Sequence, residues 1–297
     1  MEDWLDTLLA HEADYFAFGA VCTRTPYAWF LDGPALPNYR DCNRALRLRD
    51  DGRGPDAVAR AVVAYFMARG LPPAVDIDPV AESQGLGAAF RRLGATPVVG
   101  SRLLMHYPHS TPPDLQRREE SVKRLALSVK RPTQETHSEE SDVTLNTQRS
   151  TLNAQRSFTI EVVPNETGAG EARAWVETVV CDEEAEDLPL WQAVTEMEAR
   201  SSGCRLYLAR LEGQAAGACD LFSHAGWGRI DSVVTVPAWR RRGVASRLTA
   251  RAVADSLALG NTATYLFTDA GGAGEQVYRQ LGFTVWAVDV LRRHIRW

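Results

Sequence analysis

The stretch Val233-Val234-Thr235-Val236-Pro237-Ala238-Trp239-Arg240-Arg241-Arg242-Gly243-Val244-Ala245, continued by Ser246, decides the fold. Its β-branched opening reads as a strand and its proline as a stop. A helix follows, read from Arg240 to Leu259, with Leu248, Ala252, Val253 and Leu257 recurring at helical spacing. A helix entered this way turns unpaired backbone N–H groups and the positive end of its dipole toward an anion. Gly243 lacks a Cβ and Ala245 has little beyond one, so a phosphate can approach the main chain closely. Arg240, Arg241 and Arg242 add positive charge beside the turn. The anion this suits is a pyrophosphate.

Two flanking segments lie at matching distances. Upstream, Ile230-Asp231-Ser232-Val233-Val234-Thr235-Val236-Pro237 is a strand that ends just before a proline. Downstream stands Tyr278-Arg279-Gln280-Leu281-Gly282-Phe283. With Arg240-x-x-Gly243-x-Ala245 between them, the set resembles the GCN5-related N-acetyltransferases (GNAT). The resemblance spans the C-terminal half and implies a mixed-sheet α/β (α+β) fold and an acyl-coenzyme A ligand, most simply acetyl-CoA. A generic glycine-capped turn would account for the first motif but not for the second at its spacing.

The chain has 297 residues, enough for two ordinary domains, and its 45% hydrophobic and 24% charged content suits a globular protein. A formal net charge of −5 speaks against a nucleic-acid partner. Lys123 and Lys130 are the only lysines, so neither half has one for Schiff-base chemistry. The acidic start Met1-Glu2-Asp3-Trp4 has no secretory apolar run, and no segment approaches a membrane span. The five cysteines are scattered without Cys-x-x-Cys spacing and the six histidines show no ligand pattern. Reduced thiols, a cytoplasmic location and no metal are expected.

Residues 111–157 contain no aromatic residue and are rich in Ser, Thr, Gln and Glu. They cannot bury enough apolar surface to offset ordering their backbone, and read as a flexible polar linker. Within it Thr144-Leu145-Asn146-Thr147-Gln148-Arg149-Ser150 is nearly repeated by Thr151-Leu152-Asn153-Ala154-Gln155-Arg156-Ser157. Residues 158–297 form the expected catalytic domain. Its strands are read at Phe158–Val163, Cys204–Leu211, Ala216–Phe222, Gly228–Val236, Thr262–Thr268 and Val285–Leu291, with helices at Leu188–Met197 and Glu275–Leu281.

Residues 1–110 echo this order. Strands are expected at Ala45–Arg49, Pro73–Ile77 and Ser101–Tyr107, and helices at Pro55–Arg69 and Leu86–Leu93, the latter stopped by Gly94. Phe90-Arg91-Arg92-Leu93-Gly94-Ala95 is similar to the helix end around Tyr278. Where a pyrophosphate turn should stand, the sequence has Asp50-Asp51-Gly52-Arg53-Gly54-Pro55, whose aspartates repel phosphate. The reading is a tandem arrangement with a degenerate GNAT-like domain, 1–110, that does not hold coenzyme A.

The resemblance also implies roles. A bulged strand would offer the backbone edge of Val233, Val234 and Thr235 to the pantetheine arm. Arg240, Arg241, Arg242, Gly243, Val244, Ala245 and Ser246 would line the pyrophosphate. Tyr278 would protonate the departing thiolate, since a phenol is protonated at neutral pH. Asp231 would take the amine's proton, directly or through water, or else simply pair with Arg229. Asp220 and His224 are weaker candidates for that task. Where family members carry an asparagine before the tyrosine, this sequence has Gly271 within Ala270-Gly271-Gly272-Ala273-Gly274. That widens the site toward a bulkier acyl group, with Asp269 near enough to serve the acceptor. Trp29, Phe30, Trp175, Trp191 and Trp227 are the aromatic residues available for an apolar acceptor site.

The leading expectation is an N-acyltransferase acting on a small-molecule amine in a ternary complex. A variant takes its acyl group from the phosphopantetheine arm of an acyl carrier protein, whose acidity the arginines at 240–242, 247 and 251 would suit. A reading of another class is a non-catalytic coenzyme A sensor.

Overall fold

Two mixed β-sheets organise the protein in a computed structural model, which describes residues 2–98, 101–108, 158–163, 169–180 and 188–295. The duplicated heptapeptide and the rest of 111–157 lie outside the described residues. The first half supplies α1 (Glu2–Tyr15), β1 (Val21–Arg24), β2 (Trp29–Asp32), β3 (Arg44–Leu46), α2 (Pro55–Met67), β4 (Val75–Ile77), α3 (Pro79–Ser83), α4 (Leu86–Arg92), β5 (Thr96–Pro97) and β6 (Arg102–Tyr107). The second supplies β7 (Phe158–Val162), α5 (Ala169–Val180), α6 (Leu188–Arg200), β8 (Cys204–Leu211), β9 (Gln214–His224), β10 (Trp227–Thr235), α7 (Val244–Ala258), β11 (Ala263–Asp269), α8 (Ala273–Leu281), β12 (Thr284–Val288) and β13 (Arg292–Ile295).

One sheet runs β1-β2-β3-β4-β13-β5, the other β12-β6-β11-β10-β9-β8-β7. Each therefore contains one strand from the opposite half. β6 lies antiparallel between β11 and β12, and β13 lies antiparallel between β4 and β5. The sheets do not divide at residues 110 and 158. The expected strand Val285–Leu291 ends at Val288, because Asp289 takes φ +52° and redirects the chain into β13.

The strand period sorts side chains onto two cores. On one face of the larger sheet, Leu103, Met105, Ile230 and Leu266 pack under Leu248, Ala252 and Val253 of α7 and Tyr278 and Leu281 of α8. On the other, Leu104, Phe222 and Tyr265 meet Leu5, Leu8 and Leu9 of α1 and Val194 of α6. A third core, with Phe30, Val62, Phe66, Val75 and Phe90, holds α2 and α4 on the smaller sheet. α1, β1 and β2 were not anticipated from the sequence.

Candidate active site

β10 is where the larger sheet opens. It pairs parallel with β11 only at Trp227↔Ala263, Gly228↔Thr264 and Arg229↔Tyr265, whereas β11 stays paired with β6 as far as Asp269↔Arg102. The cause lies on the opposite edge. Between Asp231↔Asp220 and Val234↔Ala218 the register with β9 shifts, and Ser232 sits at φ +50°. The extra residue bends β10 away from β11. Val233, Val234 and Thr235 follow the bulge, so the strand edge assigned to the pantetheine arm borders the opening. Gly217 lies opposite, where a Cβ would stand 2.6 Å from the Val234 carbonyl and 2.7 Å from Val244 Cγ1. Only glycine lets β9, β10 and the start of α7 meet so closely.

The opening leads to the turn after β10. The helix there starts at Val244, not at Arg240 as the sequence suggests. Arg241 at φ +62° and Gly243 at φ +78° interrupt helical geometry and fold the chain into a tight loop. The backbone N–H groups of Arg241 through Ser246 donate to no acceptor among the described residues, and Gly243 caps α7 without a side-chain bond. Successive free amides at a helix start are an arrangement that can receive an anion. Arg240, Arg241 and Arg242 are exposed around it. Arg240 Nε donates to the Thr235 carbonyl (3.3 Å), and the Arg242 guanidinium lies 4.7 Å from the Trp239 ring centre.

The corresponding turn in the first half is closed. Asp50 Oδ1 accepts from Gly52 N (3.0 Å) and Gly54 N (2.9 Å), and Pro55 has no N–H to give. A carboxylate thus occupies the ground a phosphate would need.

Tyr278, on α8, is buried beside Cys219 and the Phe283 ring. Burial, reinforced by the thiol of Cys219 and the carboxylate of Asp231, pushes its hydroxyl well above the usual phenol range. It is a proton donor at neutral pH and holds that proton firmly.

Between the sheets lies a cavity of about 730 Å³. Glu12 from α1, Arg44 from β3, Asp76 from β4, Arg102 from β6, Arg229 and Asp231 from β10, Asp269 from β11 and Arg293 from β13 all contribute walls. Trp29, Phe30, Trp175, Trp191 and Trp227 do not line it, and its walls are mainly charged. Phe30 sits in the core of the smaller sheet, and Trp29 and Trp227 pack against the core shared with α1.

The cavity floor is an ion-pair chain. Arg229 Nε donates to Glu12 Oε1 (2.6 Å), while Arg229 Nη1 donates to Asp231 Oδ2. Glu12 also accepts from the Tyr265 hydroxyl (2.9 Å) and faces Arg44 Nη2 (3.6 Å). Arg44 reaches on to Asp76 (2.9 Å), which Arg293 also holds (3.1 Å). Asp231 is therefore paired with Arg229, the alternative the sequence left open, and one of its oxygens is engaged. Asp220, the cross-strand partner of Asp231, is fully buried on Arg173. His224 is exposed, 3.5 Å from Asp14. The N–H of Gly271 donates to Glu275 Oε2 (2.8 Å), which turns the glycine-rich segment into the first turn of α8. Glu12 escaped the sequence reading because its partner Arg229 stands 217 residues away.

His11 adjoins this chain. Its Nε2 meets the Trp227 carbonyl at 3.2 Å and its Nδ1 the Tyr265 hydroxyl at 2.8 Å. Burial lowers its pKa to about 4, against the opposing pull of Glu12. Between pH 6.5 and 4 the unfolded chain then binds a proton that the folded chain refuses. Stability is full above pH 6.5 and falls on acidification by up to about 3 kcal/mol. Urea titrations across this window should show that slope, and His11→Asn should flatten it.

Among the described residues no helix is long and apolar enough to cross a membrane and no cluster of His, Cys, Asp or Glu could hold a metal. Cys22, Cys42, Cys204 and Cys219 are free thiols, and Cys181 lies outside the described residues.

Residues 202–285, which contain the opening, the amide turn and Tyr278, match the family model for an acetyltransferase (GNAT) domain. The C-terminal half carries a GNAT domain. The fold is seen in solved structures. A GCN5-related N-acetyltransferase from Kribbella flavida is similar at TM-score 0.61 and 15% identity, over 97% of this chain and 94% of that one. One from Sphaerobacter thermophilus is similar at 0.54 and 18%, over 85% and 72%. A tandem GNAT protein from the clavulanic acid biosynthesis pathway is similar at 0.50 and 13%, over 85% and 74%. No curated protein sequence matches the chain. The first half shares the GNAT fold while its turn is plugged by Asp50.

Proposed function

We propose that the protein is an N-acyltransferase that moves an acyl group, most simply acetyl, from acyl-CoA to the amine of a small molecule by direct attack in a ternary complex. The observation that carries this is the run of free amides from Arg241 to Ser246 at the mouth of the β10–β11 opening. Those amides receive the pyrophosphate, with Arg240, Arg241 and Arg242 around it. The exposed backbone of Val233, Val234 and Thr235 orders the pantetheine arm as an added strand edge. Acyl-CoA supplies the activated thioester. The closed turn at Asp50 leaves one coenzyme site per chain.

The acceptor enters from the charged cavity. Asp231, held by Arg229, uses its remaining oxygen to orient the amine and take its proton, directly or through water. The C–N bond forms as the C–S bond opens. Tyr278 donates a hydrogen bond to the departing sulfur. Burial makes complete loss of the phenolic proton uphill, so stabilisation of the thiolate is its larger contribution.

Titration calorimetry with acetyl-CoA should give a saturable one-to-one isotherm. The affinity should fall when Gly243→Val obstructs the cradle, because a β-branched residue cannot hold φ +78° without strain. Absence of heat with acetyl-CoA, and with larger acyl-CoAs, defeats the reading. The exposed arginines at the turn favour a second donor class, an acyl group on an acidic carrier protein. Heat with an acylated carrier protein but none with acyl-CoA would select it.

A further inference from the structure

The cavity between the sheets has more charge than its internal pairs use. Arg44, Arg229 and Arg293 are matched by Glu12, Asp41, Asp76 and Asp231. Asp269, Asp289, Arg102 and Arg40 remain, and Asp289 accepts from the Arg102 backbone N–H (2.9 Å) and the Ser101 hydroxyl. Asp269 and Arg102 are direct cross-strand partners on β11 and β6, yet they form no ion pair with each other. The Arg102 guanidinium lies 5.0 Å from the Phe267 ring centre instead. Arg40 is exposed at the rim and also makes no ion pair with a described residue. A carboxylate and a guanidinium that make no ion pair with a described residue thus stand side by side where β11 has parted from β10, with the Arg102 charge also felt by buried Asp76.

We propose that the acceptor is a zwitterion of the amino-acid type, a molecule that carries a carboxylate together with the amine to be acylated. This rests on the acyltransferase reading above. Asp269 and Asp231 face the amine, and Arg102, with Arg40 at the rim, binds the carboxylate in a charge-assisted pair. The cavity's near balance of opposite charges suits such a molecule. A polycation would leave Arg102 and Arg40 repelled, and a neutral amine would leave them unused. In the reaction the nitrogen gains the acyl carbon and loses a proton, the thioester C–S bond breaks and the thiolate is released. The carboxylate takes no part and serves only to place the amine.

The test uses the full chain with acetyl-CoA and three sets of probes: free amino acids including ornithine and lysine, the carboxamides of the same compounds, and the decarboxylated amines. Release of the free thiol gives rates, and calorimetry follows acetyl-CoA binding in parallel. The free acids should exceed their amides in kcat/KM by roughly tenfold to a hundredfold, the worth of one charge-assisted hydrogen bond. Arg102→Gln should erase that preference by raising KM for the acids while leaving acetyl-CoA affinity and the weak rate with amides in place. Arg40→Gln, a surface change that does not threaten folding, should reduce it in part. Amides or decarboxylated amines used as well as the acids would overturn the proposal. So would acetyl-CoA binding with no free acid acylated, an outcome that leaves the coenzyme reading standing. Failure to bind acetyl-CoA and every larger acyl-CoA removes both.

Discussion

Tyr278→Phe should lower kcat by about two to four orders of magnitude, the range for loss of a positioned proton donor. Its affinity for acetyl-CoA should stay within about twofold, since an interaction made mainly in the transition state costs kcat rather than binding. The substitution removes one oxygen and keeps the ring that packs against Phe283 and the α7–α8 core, so folding is not at stake. Steady-state thiol release beside calorimetry separates the two effects. A chain that serves only to sense coenzyme A would keep its downstream response in this variant. An enzyme would not. Equal turnover in wild type and variant removes Tyr278 from the chemistry.

The second large effect concerns Arg229. Its guanidinium joins Glu12 of the first half to Asp231 of the second, and all but the edge of Asp231 is withdrawn from water. Arg229→Met strands two carboxylates around an apolar side chain. Breaking a buried pair in this way costs about 3–5 kcal/mol. Denaturant titration should show a loss of that size, and the double variant with Glu12→Leu should recover part of it, because the two residues act on each other. Activity should fall beyond what the unfolded fraction explains, since Asp231 loses the group that fixes its carboxylate. A loss below about 1 kcal/mol would mean that water already reaches the pair.

The local signals in the sequence translated well. Val233–Val236, Gly243 and the Tyr278-to-Phe283 motif act within a few residues of backbone, and propensity plus spacing place such features. The helix start moved from Arg240 to Val244 because positive φ at Arg241 reflects a turn that composition does not encode. The bulge was implied by the family resemblance, and the residues that form it carry no signal of their own. Long-range facts were not legible. Nothing local tells Ser101–Tyr107 to join the sheet of the other half, and nothing marks Glu12 as the partner of Arg229. α1 was missed because its apolar residues, Leu5, Leu8 and Leu9, are few and gain their meaning from the sheet they cover. The candidate site was therefore half readable. The proposed coenzyme side rests on a local main-chain device, while the proposed acceptor side is assembled from charges that meet only after folding.

The placement of β13 between β4 and β5 bears on how the molecule is made. During synthesis β4 and β5 emerge with a gap between them, and the strand that fills it comes from the other half of the sequence and follows much later. Until then the facing edges of β4 and β5 have no neighbour, which is the condition that invites chains to associate wrongly. Each half thus completes the other's sheet, and the smaller sheet stays open until a strand from the second half reaches it.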